Sequence, residues 1–89
     1  MIIVSYDISD NKVRGRFAKF LMQYGDRLQY SVYEIQNSER ILNIITEKIK
    51  AEFESLFTGA DSVIIFRFTE REVLRFGHAK HRNEDLLIL

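Results

Sequence analysis

The chain has 89 residues, of which 46% are hydrophobic and 29% are charged. These values predict a single globular domain over residues 1–89, because two domains would leave neither half enough chain for a core. A formal net charge of +0 excludes a protein that is basic all over, and the absence of cysteine excludes disulfides and thiolate metal sites. Because there is neither a secretory signal nor an apolar run near the ~20 residues that span a bilayer, we expect a cytoplasmic protein with no membrane partner.

The first predicted element is a strand over about residues 2–7, apolar for three residues and then alternating. Successive side chains of a strand point to opposite sides of the sheet, so Ser5 and Asp7 share one face. A carboxylate at this position more commonly caps the following turn, but it can also bind a divalent metal ion. One aspartate by itself cannot hold Mg²⁺, which is typically bound by one or two carboxylates together with waters and phosphate oxygens, and a two-fold axis near Asp7 would add the copy from a second subunit.

A helix is predicted next, capped by Ser9 or Asp10 and ended by Gly25 in the left-handed conformation. Its apolar residues follow helical spacing at Val13, Phe17, Phe20, Leu21 and Tyr24. Residues 11–20 contain no acid but four basic residues, namely Lys12, Arg14, Arg16 and Lys19. A charge run is usually a solvated face, but the lack of compensating acids favours contact with phosphates.

Residues 27–35 (RLQYSVYEI) have the aromatic and β-branched content of a strand, either as one bent strand or as two short ones. Arg27 at the start of this stretch is either a surface residue or a phosphate ligand. Tyr30 and Tyr33 have opposite parity, so at most one of them faces the helices in an unbroken strand. A tyrosine in a sheet is more often a core or interface residue than a platform for a nucleic-acid base.

A second helix is predicted from near Ser38, and a turn at Gly59 and Asp61 then leads into a strand over residues 62–68. The buried face of this helix is predicted to consist of Ile41, Ile45, Ile49, Phe53 and Leu56. The order of elements predicts an α+β fold of the ferredoxin-like βαββαβ type if the middle strand is split. Two helices would then cover one sheet face and leave the other open for a second subunit or a ligand.

The end of the chain combines a polar tail with a short apolar segment at residues 86–89, which predicts an extra C-terminal strand. Such an edge would be an aggregation hazard if left open, and pairing with a partner subunit would remove it. His78 and His81 in the tail are a weak metal signal, and we interpret them as surface residues.

Three segments carry a specific sequence pattern: residues 6–10 (YDISD), 13–21 (VRGRFAKFL) and 24–34 (YGDRLQYSVYE). Together they resemble the second core CRISPR-associated protein family, the small partner of the CRISPR spacer integrase. The third segment is the most specific part, and the resemblance covers the whole chain in length and element order.

The resemblance implies a ferredoxin-like homodimer that binds spacer DNA and bridges two integrase dimers, with the extra C-terminal strand pairing across the dimer. It also implies a metal-dependent endonuclease in which Asp7 is catalytic and binds Mg²⁺ or Mn²⁺ jointly with its copy in the other subunit. The arginines that match Arg14, Arg16 and Arg27, and the aromatic residue that matches Tyr33, are linked to activity in that family. The substrate implied is single-stranded RNA or double-stranded DNA.

Three functional hypotheses remain open from the sequence. In the first, the protein is an enzyme that hydrolyses phosphodiester bonds through Asp7. In the second, it is a structural adaptor that holds DNA through Lys12, Arg14, Arg16 and later arginines, with no catalytic task for Asp7. In the third, it is a toxin-type RNA endonuclease of similar fold.

Overall fold

The computed structural model describes residues 1–77, and its regular elements follow the predicted order. Strand β1 spans Ile2–Asp7, helix α1 spans Asn11–Met22, and strands β2 and β3 span Gly25–Gln29 and Val32–Ile35. The predicted strand over residues 86–89 and the two histidines of the tail lie outside the described residues.

The second half of the described chain contains one helix and one long strand. Helix α2 spans Glu39–Lys48 and continues through a π-helical turn at Ile49–Phe53 and a 3₁₀ turn at Glu54–Leu56. Strand β4 spans Ser62–Arg67, and a short 3₁₀ turn follows at Glu70–Glu72. Over residues 1–77, no helix is long and apolar enough to cross a membrane.

The four strands form one antiparallel sheet in the order β2-β3-β1-β4, which confirms the predicted ferredoxin-like βαββαβ plan. The middle region is two strands and not one, because the chain turns at Tyr30 and Ser31. Strand β1 is central and pairs with both β3 and β4, and its last pair with β4 joins Asp7 to Ser62. Asp7 therefore sits where the sheet ends.

Both helices cover the same face of the sheet, around Phe17 on α1. The Phe17 side chain is fully buried, and its ring centroid lies 5.0 Å from that of Tyr6 and 5.0 Å from that of Phe53, edge-to-face in both cases. The other buried residues of this core are Ile2, Val4, Ile8, Phe20, Leu21, Tyr33, Ile35, Ile41, Leu42 and Ile45. Because the even-numbered residues of β1 belong to this core, the odd-numbered ones face the opposite side.

Side-chain caps begin both helices. The Asp10 carboxylate accepts a hydrogen bond from the Val13 N–H at 2.9 Å, and the Ser38 hydroxyl accepts one from the Ile41 N–H at 3.3 Å. These side chains satisfy N–H groups that the helix itself leaves without a partner. Of the two caps considered for α1, Asp10 is therefore the one used.

The prediction that Gly25 ends α1 in the left-handed conformation is wrong. The residue after the helix, Gln23, is right-handed, and Gly77 is the only glycine with positive φ among residues 1–77. Gly25 instead opens β2, where a Cβ would lie 2.0 Å from the carbonyl oxygen of Glu34. Glycine is required here by the close approach of the neighbouring strand and not by its φ angle.

The predicted buried face of the second helix is correct up to Phe53 and wrong at Leu56. Ile41, Ile45 and Phe53 are buried and Ile49 is half-buried against the same core, whereas Leu56 is 38% exposed. The helix widens into a π turn and then tightens into a 3₁₀ turn, so the period of 3.6 residues used for the prediction does not extend to its end.

Candidate metal and nucleic-acid site

Asp7 ends β1 on the sheet face that the helices leave open. Ser5 shares this face, as predicted, whereas Tyr6 between them is buried in the core. The Asp7 side chain is exposed, and within residues 1–77 its carboxylate has no hydrogen-bond or ion-pair partner. The more common role of an acid at this point, capping the next helix, belongs to Asp10.

The loop after Asp7 is tied to the loop before β4. The Ser9 N–H and hydroxyl each donate to Oδ1 of Asp61 at 2.9 Å. Oδ2 of Asp61 accepts from the N–H of Thr58, also at 2.9 Å. Because these donors favour the ionised form, they lower the pKa of the Asp61 carboxyl, with the Thr58 N–H as the largest cause and Ser9 next.

The lowered pKa of Asp61 predicts a stability contribution that acid removes. A depressed folded-state pKa stabilises the fold above the unfolded value of about 3.9, and this stabilisation is lost as the pH falls through the folded value. We expect Asp61→Asn to unfold at lower urea concentration than the wild type near pH 6. The difference in stability between the two proteins should narrow as the pH falls below about 4, where the unfolded carboxyl becomes protonated, and should close at the lower pH where the folded carboxyl is protonated too. The measurement is the urea midpoint of both proteins across this pH range. A difference in midpoint that persists undiminished at acid pH contradicts the prediction.

The four basic residues of α1 do not gather into one patch. Arg14 turns back towards β1, and its Nη1 donates to the carbonyls of Ile8 at 2.9 Å and Ser9 at 3.3 Å. Arg16 lies over the ring of Phe53, with its guanidinium carbon 5.7 Å from the centroid. The two arginines therefore lie against different elements, one at the strand end and one at the end of the second helix.

The two lysines of α1 are exposed at opposite ends of the helix. Lys12 follows the cap, close in sequence to Asp7, and Lys19 lies in the last turn. At 1.5 Å per residue, they are separated by about 10 Å along the helix axis. The basic side chains thus form an extended series along α1, with Lys12 and Arg14 nearest to Asp7 along the chain.

Arg27 and Tyr33 form a pair on the helix-covered side of the sheet. Nε of Arg27 donates to the Tyr33 hydroxyl at 3.2 Å, and this bond is the main reason that the pKa of Arg27 is raised. Tyr33 is fully buried and stacks on Tyr6 at 6.2 Å, so it supports Arg27 from within the core. Arg27 lies on the face opposite to Asp7 and two strands away, roughly 10 Å. One subunit does not bring Arg27 and Asp7 together.

Residues after β4 cover part of the open sheet face. Arg75 reaches the Glu34 carboxylate on β3 at 3.4 Å, with only 12% of the Arg75 side chain exposed. An apolar cavity of about 180 Å³ lies against this segment, lined mainly by Met1, Ile3, Leu28, Val32, Phe68 and Val73. On β4, Ile64 and Phe66 are still 51% and 45% exposed. Ile64 lies directly opposite Ser5 in the β1–β4 ladder, so an apolar surface adjoins the acid end of β1.

Two contacts of this region were missed by sequence reasoning. Asp61 was predicted as a turn residue, but its bonds to Ser9 join positions 52 residues apart. Arg75 was considered only as one of the later arginines that hold DNA, whereas it pairs with Glu34, 41 positions away. An acid before a strand is a turn signal, but local spacing does not indicate which distant loop it will meet.

The described residues supply one of the two carboxylates expected for a metal site shared between two subunits. Over residues 1–77, no group of three or more His, Cys, Asp or Glu side chains is placed to hold a metal ion. Mg²⁺ in proteins is usually held by one or two carboxylates, with waters and substrate phosphates completing its shell. The exposed carboxylate of Asp7 is a ligand of the right chemistry, and a second copy would supply the other carboxylate.

Comparisons with known proteins agree on one family. The family model described as "CRISPR associated protein Cas2" matches residues 1–75. The chain is 31% identical over 81 residues to CRISPR-associated endoribonuclease Cas2 of Thermus thermophilus, covering 86% of this chain and 82% of that protein. The crystal structure of the hypothetical protein TT1823 from Thermus thermophilus superposes with a TM-score of 0.68 at 33% identity, covering 85% of this chain and 90% of that one. Streptococcus pyogenes Cas2 at pH 6.5 gives a TM-score of 0.67 at 23% identity, covering 85% and 98%, and this likeness supports the fold.

Proposed function

Because this chain belongs to the CRISPR-associated protein Cas2 family, we propose that it acts in CRISPR adaptation in the cytoplasm as a homodimer that binds spacer DNA. In this proposal the homodimer also bridges the integrase and cleaves phosphodiester bonds with Mg²⁺ or Mn²⁺. The observation that carries the proposal is Asp7. Its carboxylate is exposed at the end of a central strand and has no partner within residues 1–77. An acid that neither caps a helix nor pairs with a base is available to a metal ion.

A homodimer is proposed because one subunit supplies one carboxylate. Two-fold symmetry places the same surface of both subunits at the interface. The exposed side chains of Ile64 and Phe66 provide an apolar surface on the same sheet face as Asp7. Burial of this surface against its own copy would remove apolar area from water and bring the two Asp7 carboxylates towards the symmetry axis.

The chemistry proposed is hydrolysis of a phosphodiester by two copies of Asp7 and a divalent ion. The bound ion would supply Lewis-acid stabilisation of the charge on the attacked phosphoryl group. The two Asp7 side chains would hold the ion at the end of the sheet. Strand β1 pairs with both neighbours up to Ser5 and with β4 alone at Asp7, so the backbone that carries the carboxylate is held by the sheet and needs little reorganisation on binding.

Nucleic acid is proposed to lie along exposed basic side chains on and beside α1, namely Lys12, Arg16, Lys19 and Arg27. Contacts of this kind bind phosphates without reading sequence, and each one neutralises a charge and releases a counterion. Tyr33 supports this surface indirectly, since its hydroxyl holds the Arg27 guanidinium. The extended arrangement suits a strand or duplex that crosses the dimer better than it suits a compact ligand.

Removal of the metal ion tests the enzymatic part of the proposal. We expect the purified protein to cleave single-stranded RNA or double-stranded DNA in Mg²⁺ or Mn²⁺. In EDTA the rate should fall by about a hundredfold or more, because several kcal/mol of transition-state stabilisation come from the ion. Light scattering on the same preparation should give the mass of a dimer. Cleavage that is unchanged in EDTA, or a monomer that cleaves at full rate, would overturn the shared-metal site.

The toxin-type nuclease is separated from this proposal by genomic neighbourhood. An integrase gene and a repeat array beside the gene support a role in adaptation, whereas an adjacent antitoxin gene supports the toxin. The family match over residues 1–75 favours the first.

A further inference from the structure

Charged side chains hold the loop directly after Asp7 from two sides. Asp61 accepts from the N–H and hydroxyl of Ser9, each at 2.9 Å. Arg14 donates to the carbonyl of Ser9 at 3.3 Å and to that of Ile8 at 2.9 Å. Ser9 is thus bound through its N–H by an acid and through its C=O by a base. We call these contacts the Ser9 clamp.

Together with the pairing of β1 and β4, the Ser9 clamp closes a short loop of the chain that includes Asp7. Asp7 pairs with Ser62 in the last step of the β1–β4 ladder, and Asp61 is the residue before Ser62. The path from Asp7 through Ile8 to Ser9, across the hydrogen bonds to Asp61 and back through Ser62, therefore returns to Asp7. Ile8 within this loop is buried at 2% exposure, which anchors the segment in the core.

We infer that Asp61 and Arg14 are positioning residues that fix the strand end carrying Asp7, and that Arg14 serves the site through this clamp and not as a phosphate ligand. The inference rests on the proposed function, because it assigns these residues a role in presenting Asp7. The second terminal nitrogen of Arg14, Nη2, also has a hydrogen-bond partner, since it donates to the side-chain oxygen of Asn11. A guanidinium bound to two carbonyls and an amide oxygen has few donors left for a phosphate.

The direction in which Asp61→Asn changes nucleic-acid binding and cleavage distinguishes a positioning role of Asp61 from a purely electrostatic one. Asp61 adds negative charge at the end of the molecule where a polyanion is proposed to bind. If charge alone mattered, Asp61→Asn would strengthen binding and leave cleavage unchanged or faster. If Asp61 holds Asp7 in place, the same change lowers cleavage although binding is unchanged or tighter. The single amide oxygen cannot accept from both Ser9 and Thr58, which the two carboxylate oxygens do in the wild type.

The experiment compares Asp61→Asn, Arg14→Gln and Arg16→Gln in the full-length protein. Binding of a fluorescent single-stranded oligonucleotide is measured in EDTA over a range of salt concentrations, so that no cleavage occurs. Removal of a phosphate ligand makes the slope of log K against log[salt] shallower by about 0.7 for each phosphate that is no longer neutralised. We expect this for Arg16→Gln, whereas Arg14→Gln and Asp61→Asn should keep the wild-type slope. A shallower slope in Arg14→Gln, equal to that of Arg16→Gln, would overturn the role given to Arg14.

Cleavage with Mg²⁺ supplies the second arm. Loss of groups that orient a metal ligand typically costs 10–100-fold, and we expect a loss of about this size in Asp61→Asn and Arg14→Gln. Because both act on Ser9, the double variant should lose less than the product of the two single losses. Wild-type rates in both single variants would overturn the clamp.

Amide hydrogen exchange at Ser9 provides a readout that does not depend on activity. We expect the Ser9 N–H to exchange faster in Asp61→Asn, and Ser9→Ala, which removes only the hydroxyl donor, to produce a smaller change in the same direction. If the wild-type protein shows no cleavage, the proposed nuclease activity is wrong. The hydrogen exchange of Ser9 and the salt dependence of binding then still test whether the Ser9 clamp exists. Unchanged exchange at Ser9 in Asp61→Asn would show that the clamp does not hold this loop.

Discussion

Asp7→Asn is expected to reduce metal-dependent cleavage by about a hundredfold or more, because the neutral amide cannot replace the charge that a divalent ion requires. The fold should survive the change. The Asp7 side chain is exposed, and its carboxylate has no partner within residues 1–77, so the free energy of unfolding should change by no more than about 0.5 kcal/mol. Cleavage assays and thermal unfolding on the same preparation measure both quantities.

Asp10→Asn is the matched control for this variant. It makes the same chemical change three residues later, and asparagine caps helices about as well as aspartate. Since the role of Asp10 is to accept from the Val13 N–H, the control should retain both stability and cleavage. Equal loss in the two variants would mean that local charge, and not the Asp7 carboxylate, supports activity. Full cleavage by Asp7→Asn in a preparation free of contaminating nuclease would end the enzymatic proposal.

A second assay on Asp7→Asn separates enzyme from adaptor. If the protein supports adaptation chiefly by holding DNA and integrase, spacer integration should continue in the variant that no longer cleaves. The proposed phosphate contacts Lys12, Arg16, Lys19 and Arg27 would then carry the function, since they act without the carboxylate. Loss of both integration and cleavage would make the acid necessary to adaptation itself.

Gly25→Ala and Gly15→Ala are expected to change stability in opposite directions. At Gly25 the new Cβ would lie 2.0 Å from the Glu34 carbonyl oxygen and 2.8 Å from the Cα of Ile35, so the backbone of β3 must move. Overpacking of this kind costs about 1–3 kcal/mol or more. At Gly15, in the exposed middle of α1, nothing lies within 4 Å of the new atom. Alanine there should stabilise the helix by up to about 1 kcal/mol.

Urea unfolding of the two glycine variants measures this difference directly. Each serves as the control for the other, because both add a single methyl group. In a domain of this size, 1 kcal/mol corresponds to a shift of roughly 4–8 °C in Tm. Equal stability in the two variants would contradict the close approach of β2 and β3 at Gly25.

Several features were predictable because they depend on local chemistry. Asp10 and Ser38 cap helices because a short side-chain oxygen reaches the free N–H groups of the first turn wherever the chain folds. The alternation in β1 correctly placed Asp7 on the same face as Ser5, since side chains of a strand alternate by geometry. The ion pair between Lys48 and Glu52, at 2.8 Å, follows from helical spacing in the same way.

The failed or incomplete predictions concern contacts between distant segments. Gly25 was explained by a local rule about helix ends, but its requirement comes from β3, which packs against it. Arg14 and Arg16 were treated as similar basic residues, although one binds the carbonyls after β1 and the other lies over Phe53. Local patterns specify residue type and face, but not the partner that tertiary packing brings to each side chain.

The amino-acid sequence alone determined the alternation of helices and strands, the Ser38 cap, the strand-end position of Asp7 and the resemblance to the family, because each depends on residues near one another along the chain. Only the tertiary structure decided that Tyr33 is buried beneath Arg27, that Arg27 lies on the face opposite Asp7, and that Asp61 binds Ser9 across 52 positions. Those facts follow from how the sheet is ordered and covered. The hydrogen bonds concerned form between segments that meet only after the core has assembled, so no local pattern encodes them.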